Sequence, residues 1–375
     1  MRAPEATTDG KHRILVVRAD RIGDLVLSTP VFQALKTAQP DAEVVALVHE
    51  SCLPVVKHNP HLSDVILYSP RSVHRGLAGW FRLVREIRRR RFDTAVVLQV
   101  QFRISAAIWA ARVRRRIGPY SKWYSYLFFN RGVFQRRSRV EMHEADYNLM
   151  LLRRMGLRAH SRQFAPQVVV AAEAKERMRI WLRDEGFVAD ERFIIVHPGM
   201  GGSALNWPEG YYVDLVALLA SRGTNVVFTG SAAEKALVER VWTEACGRLN
   251  KEGSGKVRVF LGALSHTGLE DLIALQSLSS LMVAPSTGPL HLAAALGKPT
   301  VSFFPPIKVQ SALRWGPYHH DEGRHSVLVP DALCGQDFKC AGKKCTFYFC
   351  MERLGVEEAV AQVFHHLTTP PRNST

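Results

Sequence analysis

Residues 286–300 read STGPLHLAAALGKPT and lie between two apolar segments, residues 278–284 and residues 301–304. This order predicts a strand, a glycine turn, a helix and a second strand. Pro289 suits the first turn of that helix, because a proline there leaves no helical hydrogen bond unmade. Strands that alternate with helices in this way are typical of a parallel sheet in an α/β domain.

The turn in this segment has the features of an anion site. The first amides of a helix have no partner within the helix, and the helix dipole adds positive charge. We therefore predict that Thr287, Gly288 and Pro289 contact a phosphate group and that His291 reaches the same anion. A plain connection between strand and helix is the alternative, because many α/β domains contain such a turn.

Two other segments repeat the pattern of strand, turn and helix. Residues 13–18, RILVVR, form a predicted strand, which ADRIGD and the helical spacing of residues 25–36 follow. Gly23 permits a tight turn, and Asp24 occupies the place of a helix N-cap. In the second half, the predicted strand FIIVH is followed by PGMGGSALNWP and by a helix over residues 210–222.

The same alternation in both halves of a chain of 375 residues predicts two doubly wound, Rossmann-like α/β domains. Such sheets bind ligands at the carboxyl ends of their strands, where all three loops lie. The predicted divisions are an N-terminal domain, a linker helix, a C-terminal domain, and a last helix with its tail: residues 1–171, 172–190, 191–352 and 353–375.

Several segments together resemble glycosyltransferase family 9, the bacterial heptosyltransferase family. They are RIGDLVLSTPVFQALK, HPGMGGSALNWP, FTGSAAEK, STGPLHLAAALGKPTV and a cysteine-rich segment that ends in Cys350 and Met351, in the family's order and spacing. The resemblance covers roughly residues 13–366 and is loose over residues 70–170. It implies the GT-B fold, in which two Rossmann-like domains face each other across a cleft. It also implies that residues 1–171 form the acceptor domain and residues 191–352 the nucleotide-sugar domain.

The resemblance also implies roles for residues of the first turn. Asp24 matches the family's proposed base, which takes the proton of the acceptor hydroxyl. A plain N-cap is the alternative. Arg18 and Arg21 flank Asp24 and could hold an acceptor anion, or they could be ordinary surface residues.

On the donor side, Glu234 matches the residue that accepts hydrogen bonds from the ribose hydroxyls, and an exposed residue in a first helical turn is its alternative. Gly199 and Gly201 would let the backbone approach the donor, or they simply supply a positive φ. The remaining matches are the positions that cradle the diphosphate: Thr287, Gly288, Pro289 and His291.

Two positions depart from the family pattern. Many relatives have a lysine two residues before the Trp-Pro pair, where this chain has Leu205. Heptosyltransferases with known donors tend to have aspartate before the Thr-Gly pair, where this chain has Ser286. A neutral hydroxyl cannot hold sugar hydroxyls as a carboxylate does. We therefore keep Ser286 as a donor-binding candidate and keep open a sugar other than heptose.

The charge of the chain is concentrated in one segment. Residues 71–140 contain 18 arginines and lysines against two acids, so this segment carries a net +16, the net charge of the whole chain. It could be a solvated basic face, bind an anionic membrane or glycolipid, or bind nucleic acid. The resemblance favours the glycolipid and disfavours nucleic acid. The candidate acceptor-binding residues in this segment are Arg114, Arg115 and Arg116.

Four cysteines close the second half of the chain at gaps of five, four and four residues: Cys334, Cys340, Cys345 and Cys350. This spacing differs from the C-x₂-C pairs of common zinc modules. Reduced thiols, a metal site and disulfides remain open. No cluster of histidine and glutamate indicates a catalytic metal, so we expect metal-independent chemistry without a cofactor. Neither half has G-x-G-x-x-G after its first strand, which disfavours a nicotinamide-dependent oxidoreductase.

We therefore predict an inverting, metal-independent glycosyltransferase. It would transfer a sugar, heptose from ADP-heptose, to a lipid-linked lipopolysaccharide core. Another nucleotide-sugar and a catalytically silent GT-B binding module are the alternatives. No apolar run reaches the roughly 18–20 residues that span a bilayer, and no signal peptide is visible. We expect a cytoplasmic protein that is peripheral on the inner membrane.

Overall fold

The structure is a computed structural model that describes residues 12–160, 163–202, 204–249, 255–261, 268–318, 322–347 and 349–369. Contacts within the chain divide it into two units. The N-terminal unit is Met1–Arg137 with Glu141–Val169, and the C-terminal unit is Ser138–Val140 with Val170–Thr375. The main division lies two residues from the boundary predicted at residue 171.

The N-terminal unit contains a parallel sheet of five strands among its described residues, in the order β3-β2-β1-β4-β5. Its three central strands, β2, β1 and β4, are mostly apolar and buried, because helices cover a parallel sheet on both faces. The strands are β1 (Arg13–Arg18), β2 (Glu43–His49), β3 (Asp64–Tyr68), β4 (Thr94–Val97) and β5 (Arg115–Ile117).

The α-helices of the N-terminal unit connect these strands or follow the last one. They are α1 (Ile22–Val26), α2 (Thr29–Ala38), α3 (Leu53–Val56), α4 (Gly76–Arg89), α5 (Phe102–Ala110), α6 (Ser125–Phe128) and α7 (Glu144–Met150). The helical segment predicted from residue 25 is thus two helices, because α1 ends at Val26 and α2 begins at Thr29 with proline in its first turn.

The C-terminal unit contains a parallel sheet of six strands among its described residues, in the order β11-β10-β9-β6-β7-β8. The strands are β6 (Phe193–Val196), β7 (Asn225–Thr229), β8 (Val257–Phe260), β9 (Leu281–Pro285), β10 (Thr300–Phe303) and β11 (His325–Leu328). The α-helices are α8 (Ala172–Asp184), α9 (Glu209–Ser221), α10 (Lys235–Gly247), α11 (Gly268–Leu278), α12 (Gly288–Ala295), α13 (Ala312–Trp315) and α14 (Val356–Thr368).

The order of the strands identifies where each sheet should bind ligands. Strand order reverses between β1 and β4 in the first sheet and between β6 and β9 in the second. A doubly wound sheet binds ligands beyond the carboxyl ends of its strands at such a reversal. The turn after β1 carries Asp24, the loop after β6 carries Gly199 and the turn after β9 carries Thr287.

Helix α8 differs from a free linker. It packs against α11, and its buried residues Ala174, Met178 and Leu182 belong to the same apolar cluster as Ala274 and Leu275. It is therefore part of the C-terminal unit's core. Among the described residues, no helix combines the length and the apolar character needed to cross a membrane.

Candidate functional site

The turn after β1 is organised around a buried arginine. The side chain of Arg18 is 2% exposed and forms ion pairs with Asp20, at 2.8 Å from Nε to Oδ1, and with Asp24 through Nη2. Its Nη1 lies 3.5 Å from Oε1 of the buried Glu144 and 3.3 Å from Oδ1 of Asn148. Burial alone would lower the pKa of Arg18, but the three carboxylates raise it above its ordinary value.

This arrangement changes the role expected for Arg18. A charged group that is taken out of water needs partners of opposite charge, and Arg18 has three within the protein. The sequence suggested that Arg18 binds an acceptor anion, whereas its guanidinium already contacts carboxylates on every nitrogen. Arg18 therefore positions Asp24 rather than serving as an open anion site.

Asp24 is also not an N-cap. The N-cap of α1 is Arg21, and Asp24 is the third residue of this five-residue helix. The carboxylate of Asp24 contacts Arg18, while its backbone carbonyl accepts a hydrogen bond from Ser28 Oγ at 2.7 Å. The capping alternative is thus wrong, and Asp24 is a half-buried carboxylate held beside a permanent cation.

Asp20 is a candidate that the sequence did not single out. Burial and the neighbouring Asp24 raise the pKa of Asp20 to about 6, although Arg18 opposes the shift. A carboxylate with a pKa near neutrality is suited to proton transfer. The only sequence signal was the Asp-Arg-Ile-Gly-Asp spacing, which places the two carboxylates four residues apart.

The other predicted acceptor residues differ in exposure. Arg21 and Arg114 are exposed and free to meet a ligand, whereas Arg115 is half-buried in β5. Arg116 donates from Nε to the carbonyl of Phe128 at 2.7 Å, and burial lowers the pKa of Arg116. Arg116 therefore holds the end of α6, and the three arginines are not one uniform cationic patch.

In the C-terminal unit, Glu234 joins two loops. Its Oε2 accepts hydrogen bonds from the amide of Ser231 at 2.9 Å and from Ser231 Oγ at 2.7 Å, which forms a capping box. Burial alone would raise the pKa of Glu234, but the Ser231 hydrogen bonds and the Gly201 amide lower it. Glu234 is thus an ionised acceptor fixed in one orientation.

Gly199 has a steric reason to be glycine. A Cβ at this position would lie 2.2 Å from the carboxylate carbon of Glu234. Gly201 has a φ of +59°, which a side chain rarely adopts. The positive φ offered by the sequence therefore applies to Gly201, and Gly199 leaves room for the side chain of Glu234. The approach of this backbone to the donor stays a prediction.

His197 lies beside Glu234 at the start of the same loop. It follows β6, is buried, and its Nδ1 lies 2.9 Å from Thr229 Oγ1. Burial lowers the pKa of His197 to about 4, against the charge of Glu234. At neutral pH the contact of 3.8 Å between His197 Nε2 and Glu234 Oε2 is therefore not an ion pair.

The turn after β9 has the predicted form. Thr287 is the N-cap of α12, the helix begins at Gly288, and Pro289 lies in its first turn. His291 is buried within that turn, and Ser286 is half-buried just before the cap. Residues 286–291 contain no carboxylate, arginine or lysine, so the backbone amides, the hydroxyls and His291 set the chemistry of this turn.

The departure at Leu205 has a structural explanation. Leu205 packs against the core of the C-terminal unit and lines a cavity of 340 Å³ together with four thiols: those of Cys334, Cys340, Cys345 and Cys350. All six cysteines are free in the structure. Among the described residues, no cluster of three metal-ligating side chains has a geometry that could hold an ion.

Comparison with known proteins identifies the family. The profile of Glycosyltransferase family 9 (heptosyltransferase) matches residues 80–340. A Haemophilus influenzae protein provisionally described as a glycosyltransferase is 30% identical over 94% of this chain and 96% of its own length. Lipopolysaccharide heptosyltransferase 2 of Salmonella typhimurium is 25% identical over 78% of this chain and 83% of its own.

The fold agrees with this relationship. The structure of Escherichia coli ADP-heptose lipopolysaccharide heptosyltransferase II superposes with a TM-score of 0.73 at 20% identity, and covers 95% of this chain and 98% of that one. The two parallel α/β sheets are thus those of the GT-B fold. The chain belongs to glycosyltransferase family 9, the heptosyltransferase family, and is a glycosyltransferase.

Proposed function

We propose that this glycosyltransferase transfers a sugar from a nucleoside diphosphate-sugar to an anionic glycolipid of the lipopolysaccharide core. The transfer would invert the anomeric configuration and would need no bound metal. ADP-heptose is the proposed donor, because a relative of the same fold is described by that substrate. The acceptor is proposed from the net +16 of residues 71–140, which complements a phosphorylated glycolipid. Such an acceptor would place the protein on the inner membrane's cytoplasmic face.

The observation that carries this proposal is the contrast between two polar turns. One holds Asp24 beside the buried Arg18, and the other presents helix amides at Thr287 and Gly288. Inverting transfer needs a base for the acceptor hydroxyl and charge stabilisation for the departing diphosphate. Asp24 would supply the first, while the amides of α12 with Thr287 and His291 would supply the second.

The fixed carboxylate of Glu234 supports a nucleoside in the donor. Glu234 is an acceptor whose orientation the capping box determines, so it can receive hydrogen bonds from two neighbouring ribose hydroxyls. Gly199 leaves room beside it. A different sugar is the second candidate, because Ser286 replaces the carboxylate that relatives place near the sugar.

Calorimetric titration with ADP-, UDP- and GDP-sugars tests the donor. We expect the ADP-sugar to bind most tightly and Glu234→Ala to reduce the affinity for all three. Gly199→Ala should act like Glu234→Ala, because the added methyl displaces the carboxylate. If neither substitution changes the affinity for the donor, the nucleoside binds elsewhere. If a UDP- or GDP-sugar binds most tightly, ADP-heptose is not the donor.

A further inference from the structure

Large apolar side chains are exposed in one part of the N-terminal unit. We call these eight residues the aromatic surface: Leu77, Phe81, Phe102, Trp109, Trp123, Tyr126, Leu127 and Phe134. Leu77, Trp123 and Leu127 are 77%, 75% and 64% exposed. So many exposed apolar side chains indicate an interaction site, because contact between apolar surface and water is unfavourable.

The helices that carry most of these side chains pack on one another. Helix α4 packs on α5, and α5 packs on α6. Trp80 Nε1 donates to the carbonyl of Arg103 at 3.0 Å, which joins α4 to α5. The ring of Phe102 lies 5.2 Å from that of Tyr124 and 5.4 Å from that of Phe128. Six of the eight residues of the aromatic surface thus lie on helices that pack together.

Ring contacts also join α6 to residues on either side of it in the sequence. Tyr126 stacks on Tyr120 at 4.5 Å between ring centroids, and Phe134 lies 5.2 Å from Tyr120. Trp123 contacts Tyr124 edge to face at 5.6 Å. Rings that pack on one another lose little conformational freedom when a partner covers them.

Cations accompany the patch without compensating acids. In the part of the chain that the structure describes, no carboxylate lies within ion-pair distance of seven exposed arginines, four on α4 and three in the loops that follow α5 and α6: Arg82, Arg85, Arg88, Arg89, Arg112, Arg114 and Arg131. Their neighbour Arg90 does have acidic partners, Asp64 and Glu86. The unpaired arginines therefore give this face a strong positive potential.

We propose that the aromatic surface inserts into the interfacial layer of an anionic lipid bilayer while the arginines contact lipid phosphates. Tryptophan and tyrosine favour the interface between water and lipid, and arginine stems can lie along apolar groups while their charge stays at the headgroups. The inference deepens the proposed function, since it names the surface by which the acceptor-binding unit meets the membrane of its glycolipid.

The charge and the apolar groups of this face favour a bilayer over other binding partners. A second copy would bring one excess of arginine against another, which is repulsive. Nucleic acid would satisfy the arginines and stack on rings, but it would leave Leu77 and Leu127 in water. A bilayer with anionic lipids satisfies the arginines, the rings and the leucines together.

The test compares matched triple variants of the full chain. One variant combines Leu77→Ser, Trp123→Ser and Leu127→Ser, and the control combines Leu313→Ser, Leu333→Ser and Phe338→Ser. The control residues are 61%, 87% and 60% exposed and lie in the C-terminal unit. Cosedimentation with phosphatidylglycerol-containing and with pure phosphatidylcholine vesicles gives partition coefficients. No donor or acceptor is added, so failure here is distinct from failure of the proposed transfer.

We expect the wild type and the control to bind the anionic vesicles, and the surface variant to bind at least about tenfold more weakly. Lipids brominated near the headgroup should quench tryptophan fluorescence of the wild type, and Trp123→Leu should reduce this quenching while binding is retained. That second measurement does not depend on the triple variant folding.

Several outcomes would overturn the proposal. These are equal vesicle binding by all three proteins, no preference for anionic lipid, and no quenching by brominated lipid. Two further results would assign the surface to another partner. One is a dimer in sedimentation that only the surface variant loses, without vesicle binding. The other is strong binding of a duplex oligonucleotide at the same salt concentration, again without vesicle binding.

Discussion

The turn after β1 and the turn after β9 follow the same pattern of strand, glycine and helix, yet their chemistry is opposite. In the first, a buried arginine meets three carboxylates, and Asp24 is held among them. In the second, residues 286–291 contain no carboxylate and no arginine or lysine, and the helix end is left to amides and hydroxyls. The comparison shows that one backbone motif presents either paired carboxylates or the first amides of a helix, according to its few side chains.

The largest effect should come from removing the candidate base. Asp24→Asn is expected to lower turnover by about 10² to 10⁴, because a positioned base contributes that much, and to leave donor affinity unchanged. Single-turnover rates and donor titrations measure the two effects separately. Asp20→Asn is the matched control, since Asp20 also contacts Arg18. A larger loss in Asp20→Asn would transfer the role of base to Asp20.

The next effect concerns the cation that holds the first turn. Arg18→Met should reduce the free energy of unfolding by about 3–5 kcal/mol, because it leaves the carboxylates of Asp20 and Asp24 without their cationic partner. Arg21→Met, at the exposed N-cap, should change it by less than about 0.5 kcal/mol. Urea denaturation of both variants gives the comparison. Equal stabilities would mean that the Arg18 ion pairs contribute nothing net.

Acid should destabilise the loop after β6 through His197. Its pKa falls from 6.5 when unfolded to about 4 when folded, so the unfolded state binds a proton first. The contribution of neutral His197 to the free energy of unfolding is therefore complete above about pH 6.5 and is lost as the pH falls toward 4. The difference of about 2.5 pKa units corresponds to about 3 kcal/mol.

The raised pKa of Asp20 acts with the opposite sign over an overlapping range of pH. The measurement is therefore the difference in urea stability between wild type and His197→Gln at each pH. We expect this difference to shrink between pH 6.5 and pH 4. A difference that is constant with pH would mean that His197 titrates normally.

The amide-rich turn should respond through binding rather than stability. Thr287→Val and His291→Ala are each expected to weaken binding of the donor and of free ADP by about 1.5–3 kcal/mol, the worth of a hydrogen bond to a charged oxygen. Arg21→Met, in the other turn, should leave both affinities as they are. If calorimetry finds the wild-type affinity for ADP in both variants, the prediction that this turn binds the phosphate is wrong.

The smallest effect is expected for Ser286→Asp. The new carboxylate would precede the phosphate turn and should change the ranking of donor sugars by about 1 kcal/mol, with the ranking of nucleotides unchanged. Competition among nucleotide-sugars with a common base measures this ranking. If the order of sugars stays the same, residue 286 does not contact the sugar.

Local signals predicted much of the architecture. The segment RILVVR is a strand, and so is FIIVH except for its last residue. Helix α12 begins within one residue of its predicted start, and α8 and α14 occupy their predicted segments. These predictions depend on neighbouring residues only, because apolar period, proline and glycine act over a few positions. The fold class followed from their alternation.

What the sequence could not predict depends on distant partners. Arg18 looked like a surface cation because Glu144 and Asn148 lie more than 120 residues away along the chain. Arg116 looked equivalent to Arg114, although only the fold brings the carbonyl of Phe128 to its guanidinium. Burial and long-range pairing set these roles, and neither leaves a local pattern.

The pairing of Arg18 with Asn148 also has a consequence for the order of synthesis. The two residues are separated by 130 positions, so the ribosome makes Asp24 on the order of ten seconds before the chain reaches Asn148. During that interval the turn, its glycine and its aspartate exist, but Arg18 has no Glu144 to pair with. The first turn can therefore reach its final form only after α7 has been translated, and a chain that stops before residue 144 would contain the candidate base without the full environment that holds it.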